Sequence, residues 1–284
     1  MTEQLPSSVT QDKSQPPNFE AILQAERRRR GGLWRILQQG FWGLLAVAVL
    51  VASIRTAEVS PQEFWKGLPR LGQWLTRLWP PDFTELPSFL EAIWETLAIA
   101  IVGTGVAIAI AVPLAVSIAR NTTPFPWLAT LLRGFSNFLR GIDAAIFALL
   151  FVSIVGLGPF AGVLGVACHT TGSMAKLYAE VLEAIPREPI EAIEATGSDR
   201  IRTFAFAVLP EALPGLIGIT LYLWEFNVRS SVILGIVGAG GIGYELLVSL
   251  KLLDFPRLTT ILILILTMVS SIDALSAYLR QRLG

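Results

Sequence analysis

The chain has a single cysteine, Cys168, and a single histidine, His169. One cysteine excludes a disulfide framework, and one of each leaves too few ligands for a His- or Cys-built metal centre, so none is expected. Charge is scarce too. Asp, Glu, Lys and Arg make up 15% of the 284 residues, where a soluble domain carries about a quarter. The 22 basic and 22 acidic side chains cancel, so no basic field is on offer to nucleic acid. What is present is apolar: 53% hydrophobic residues and a mean hydropathy of +0.59, gathered into long runs. A water-soluble core does not need such runs, and a bilayer does. The sequence predicts an all-α, polytopic membrane protein.

Residues 1–35 are polar and end in the basic run 27–30 and Arg35, which reads as a disordered cytoplasmic tail. Residues 36–54 form the first expected transmembrane helix. A signal peptide is the rival reading, but its polar head would be unusually long and 51–55 is a poor cleavage site. Residues 55–88 hold five prolines, with Trp65, Trp74 and Trp79 beside Lys66, Arg70 and Arg77. They read as an interfacial or periplasmic segment lying on the membrane.

Five further spans are expected near 89–118, 142–155, 160–178, 212–228 and 258–278, making six in all. Gly103 and Gly105 in the second of the six are of the size that lets membrane helices approach closely. Residues 230–244 are apolar but shorter than the ~20 residues a crossing needs, and their five glycines suggest a short re-entrant helix. With both termini inside, fifteen of the 22 Lys and Arg fall on cytoplasmic segments, which is the positive-inside signature. That orientation puts the polar loop 179–210 in the cytoplasm.

Pro186 and Pro189 break this loop, and Pro189 suits the first turn of a short helix running from Ile190 to about Thr196. Gly197 is placed to stop it, and Ser198 or Asp199 to cap the next helix, which carries Arg200 and Arg202. A solvated loop would explain the composition alone. The residues themselves go further. Glu191-Ala192-Ile193, then Gly197, then Leu209-Pro210 resembles the EAA-loop motif of binding-protein-dependent ABC importer permeases. Ile193 stands where that pattern has Ala, and Ala207 where it often has Ile; both changes stay apolar.

The likeness runs from about residue 91 to the C-terminus. Glu95-Thr96-Leu97, Gly103-Thr104 and Pro113-Leu114 look like the opening of that transmembrane domain. Gly156-Leu157-Gly158-Pro159-Phe160-Ala161-Gly162, His169-Thr170 and the block from Trp224 to Ser231, followed by Gly238-Ala239-Gly240-Gly241-Ile242-Gly243, are similar to phosphonate-importer permeases in particular. Methionine-importer permeases share the Arg-Ser and glycine-rich parts of that last block.

The resemblance implies a type I importer domain over 89–284 with 179–210 as its coupling loop, in a bacterial inner membrane. Glu191, Ala192, Ile193, Gly197, Leu209 and Pro210 would then contact a cytoplasmic ATPase. It further implies a second permease copy or paralogue, and a periplasmic or lipid-anchored substrate-binding protein. ATP and Mg would sit on the ATPase, with no cofactor in this chain, which has no Walker-type phosphate loop and so is not itself an enzyme. The cargo implied is phosphonate, phosphite, hypophosphite or phosphate, with methionine as the alternative branch. A secondary transporter would call for internal repeats, and none is evident.

Candidate pathway residues are His169, Glu225, Asn227, Arg229, Gly240 and Gly241. Glu225, Asn227 and Arg229 are expected at the outer end of the fifth span. Two readings of Arg229 are open: an i,i+4 pair with Glu225 at the interface, or a guanidinium that meets a cargo oxyanion. His169 either faces the pathway or packs, and Cys168 reads as inert core. Gly238, Gly240 and Gly243 satisfy a dinucleotide fingerprint as a string, but without a strand–helix–strand context they read as helix packing. Glu91 and Glu95, one turn apart, read as a solvated helix start.

Overall fold

The computed structural model describes residues 19–58, 60–123 and 125–283, with side chains from residue 38 to 282. Among the described residues all regular structure is helical. The chain divides at Arg70 into two units.

The first unit contains α1 (Phe19–Thr56) and the beginning of α2 (Pro61–Arg77). Residues 1–18 of the expected tail lie outside the described residues. Residues 19–35, also expected to be disordered, are helical; Glu, Ala, Leu, Gln and Arg dominate them, and all are good helix formers. The stretch Gln38–Thr56 is long and apolar enough to cross a membrane, and none of its residues is buried. Along α2 no residue is buried, and Trp65, Trp74 and Leu75 are exposed beside Lys66, Arg70 and Arg77. That mix suits a membrane surface.

The second unit is a helical bundle around α6 (Pro159–Glu183), which packs on α3 (Leu86–Ile118), α4 (Pro126–Gly141), α5 (Ala144–Val155) and α9 (Leu209–Leu234). Small residues let the helices close up. A Cβ on Gly103 would sit 2.7 Å from Val166, and one on Gly172 would meet the Ser136 carbonyl at 2.6 Å. Gly105, expected to share this role, faces open space. The apolar centre is made of Ala107, Ala111, Ala115, Met174, Ala175, Tyr178 and their neighbours. Beyond α6 come α7 (Arg187–Glu194), α8 (Arg200–Thr203), a π-helical turn (Phe204–Val208) and α9. A second π-helical turn (Gly235–Ala239), α10 (Ile242–Leu252) and α11 (Phe255–Leu283) complete the unit.

Among the described residues, four helical stretches can cross a membrane by length and composition: Gln38–Thr56, Leu86–Ile118, Arg200–Ala239 and Phe255–Arg282. The pair α4 and α5, bent by 86°, makes a fifth if counted as one span. The expected count of six is therefore not reproduced on these criteria, for two reasons. The third expected span, α5, has 12 residues, about 18 Å at helical rise against a ~30 Å hydrocarbon core. The fourth, α6, is 25 residues long but carries Thr170, Thr171 and Ser173 at its centre, all buried against neighbouring helices rather than offered to lipid.

The break expected at 230–244 lies further on. The helix of α9 continues through Ser230 to Leu234, and the short apolar helix is α10.

Candidate functional site

The loop expected to dock an ATPase begins where α6 finishes. Glu183 accepts from the Arg120 backbone N–H at 2.8 Å and from Arg133, while the Asn121 amide donates to the Leu182 carbonyl at 2.6 Å. Arg133 also donates to the Ile118 carbonyl at 2.8 Å. These bonds tie the ends of α3 and α6 together and give the loop a fixed base. Nothing in the local sequence marked Asn121, Arg133 or Glu183, because their partners lie 15 to 63 residues away.

From that base α7 projects. Ile185, Ile190 and Phe204 pack against the apolar centre, while Glu191 and Ala192 are exposed and Ile193 half-buried. The helix starts three residues earlier than expected, at Arg187, and keeps Pro189 in its first turn. Gly197 terminates it: φ is +80°, a conformation that disfavours any Cβ, and its N–H donates to the Glu194 carbonyl at 2.9 Å. Asp199 then caps α8, accepting from the Arg202 N–H at 2.9 Å. Leu209 and Pro210 open α9 and are exposed.

The second cluster lies along α9. Asn227 of α9 is 1% exposed; its amide nitrogen donates to Thr104 of α3 at 2.9 Å, and its oxygen accepts from Thr170 of α6 at 3.0 Å. Thr104 lies near the midpoint of α3, so Asn227 is in the middle of the bundle and not at an outer end. The physical reason is the length of the helical stretch Arg200–Ala239, which runs ten residues past Arg229. Asn227 thus joins three helices and is itself buried among them.

Its neighbours face elsewhere. Arg229 donates to Glu225 at 2.7 Å and to both oxygens of Asp273 on α11 at 3.1 and 3.2 Å. Arg280, near the end of α11, reaches the other oxygen of Glu225 at 3.4 Å. The expected i,i+4 pair is present, within a four-residue network that the sequence did not suggest. His169 bonds the Ile142 carbonyl through Nδ1 at 2.8 Å, and its ring lies 6.4 Å from that of Phe226. Cys168, read as core, is half-buried.

Gly240 and Gly241 stand apart from this network. They form the turn into α10 with φ of +80° and +69°, and Gly241 donates its N–H to Glu95 at 3.0 Å. Thr96 accepts from the Ile242 N–H at 2.9 Å. Glu95 is therefore no solvated helix start; together with Thr96 it satisfies the orphan N–H groups that open α10. Gly238, Gly240 and Gly243 follow a helix rather than a strand, and Gly243 packs on the Val232 carbonyl. That geometry gives no dinucleotide fold.

The model of the family described as "Binding-protein-dependent transport system inner membrane component" matches residues 107–284, well over half of the chain. The chain belongs to that family. A putative phosphite transport system permease protein, HtxC, of Stutzerimonas stutzeri is 43% identical over 84% of this chain and 82% of its own length. A phosphite transport system permease protein, PtxC, of the same organism is 36% identical over 91% of this chain and 96% of its own. Among solved structures, an inward-facing form of the MetNI methionine ABC transporter superposes with a TM-score of 0.63 at 23% identity, over 72% of this chain and 99% of that one. At that identity the likeness shows the fold alone.

As a binding-protein-dependent permease the chain is a membrane transport subunit. The matched region contains α7 and its loop, the Asn227 node, the charged network and the Gly240–Gly241 turn.

Proposed function

We propose that this permease carries a phosphorus oxyanion (phosphite, phosphonate, hypophosphite or phosphate) inward across a bacterial inner membrane, driven by ATP hydrolysis on a partner subunit. The observation that carries the cargo reading is Arg229, a guanidinium 42% exposed within the apolar helical stretch Arg200–Ala239. Charge within such a stretch is costly in lipid and marks a pathway, and a guanidinium fork matches oxyanion oxygens in pairs. The names of the two phosphite permease relatives point the same way.

In this reading α1, α3, the α4–α5 pair, α6, α9 and α11 make six crossings, with both termini cytoplasmic. The exposed tip of α7, with Glu191, Ala192, Ile193 and Gly197, rests in a cleft of an ATPase that holds ATP and Mg, and Leu209 and Pro210 support it. Two permease copies, or this chain and a paralogue, enclose the path, and a periplasmic or lipid-anchored binding protein delivers cargo. His169 and the Gly240–Gly241 turn flank that path.

The decisive measurement is calorimetric titration of the cognate binding protein. It should take up phosphite or another phosphorus oxyanion tightly. Tight methionine binding with no oxyanion binding would sink the cargo reading. Docking is tested separately, by whether the ATPase subunit co-purifies with the permease and is lost on Glu191 substitution.

A further inference from the structure

Glu225, Arg229, Asp273 and Arg280 form one connected group, and two of its members come from α11, where no motif draws attention to them. Arg229 is fully engaged at its fork, Nη2 on Glu225 and Nη1 on both oxygens of Asp273. Arg280 touches Glu225 only at 3.4 Å from each terminal nitrogen, the long limit of a hydrogen bond. The formal charges cancel. Yet the side chains of Arg229, Asp273 and Arg280 keep 42, 42 and 38% of their surface open.

That openness separates the group from a structural clip. Asn227, two residues from Arg229, is a clip: buried, with its bonds made to neighbouring helices. Four charges on otherwise apolar helices are too costly to face hydrocarbon, so they face a water- or protein-lined space. A carboxylate is also the side-chain group closest to an oxyanion in charge and oxygen spacing, and a guanidinium binds both through the same paired N–H groups.

We propose that Asp273 and Glu225 are built-in stand-ins for the cargo: they occupy the donors of Arg229 and Arg280 while the path is empty, and yield them to the phosphorus oxyanion as it passes. This rests on the cargo reading above. The exchange replaces one set of charge-assisted hydrogen bonds by another, so the anion is accepted without being trapped. An uncontested pair of arginines in the same place would hold an anion too tightly for conduction.

The test uses the permease–ATPase complex in nanodiscs, without binding protein, titrated calorimetrically with inorganic phosphite. Asp273→Asn keeps the shape and removes the competing charge. It should tighten phosphite binding by about tenfold, the weight of one charge-assisted hydrogen bond no longer contested, and slow uptake into proteoliposomes because release becomes limiting. Asp273→Glu should restore wild-type behaviour in both assays, and Arg229→Gln should abolish both signals. If Asp273→Asn binds phosphite no tighter than wild type, the stand-in role is refuted. It is refuted equally if the neutral double variant Arg229→Gln/Asp273→Asn regains uptake, since the pair would then be only a clip. Co-purification of the ATPase establishes that each variant folds. Failure of the cargo reading shows elsewhere, in a binding protein that takes methionine and no phosphorus oxyanion.

Discussion

The loop between α6 and α9 and the charged network between α9 and α11 are held by opposite constructions. In the loop, Glu191, Ala192 and Gly197 sit within seven consecutive residues, and the helix stop and cap are made by bonds to residues three apart. In the network, α9 and α11 are joined by bonds between residues 44 and 55 positions apart. The loop's shape is set by local backbone preference, whereas the network exists only once two helices pack in one register. A local motif can therefore be damaged by one wrong backbone torsion, and a non-local one by one missing partner.

The sharpest way to break the comparison is Gly197→Val. A β-branched residue at φ +80° is strained by about 1–2 kcal/mol or more, and the α7 stop is lost. ATPase co-purification should fail and uptake should drop by more than tenfold, while Gly197→Asn, tolerant of that conformation, should keep most of both. Equal loss in Val and Asn variants would mean that the side chain and not the torsion matters.

Gly241→Val comes next. The new Cβ meets Thr96 at positive φ, at a cost of about 1–3 kcal/mol. The thermal transition of the purified complex should fall, with ATPase docking retained. Asn227→Leu leaves Thr104 and Thr170 without their buried partner and should cost about 2 kcal/mol. Its effect should appear in thermal stability rather than in phosphite binding; a binding defect in a fully folded Asn227→Leu complex would move Asn227 into the pathway. The smallest effect belongs to Asp199→Ala, which removes the α8 cap for about 1 kcal/mol and should weaken ATPase co-purification only slightly.

Legibility followed the same divide. The apolar runs at 89–118 and 258–278 appear as α3 and α11, and Gly197 and Asp199 do what their residue types suggest. The tail at 19–35 and the break near 230 were misplaced. Helix propensity in the first, and continuation of α9 through Ser230–Leu234 in the second, outweighed the polar and glycine signals. Glu95 was misjudged for a different reason. Its partner, the Gly241 N–H, is 146 residues away and belongs to a helix start that only the fold brings near.

Arg229 shows where the boundary falls. By itself the sequence determined that the chain is a helical membrane protein, that a polar loop with a glycine stop interrupts it, and that an arginine stands four residues after a glutamate within an apolar run. Hydropathy and backbone torsion are properties of single residues and their near neighbours, so they can be read along the chain. Only the tertiary structure decided that this arginine shares Asp273 and Glu225 and has Asn227 beside it as a buried tie. Such partnership depends on how α3, α9 and α11 slide against one another, which is fixed by close packing of side chains across helices and by nothing within any one of them.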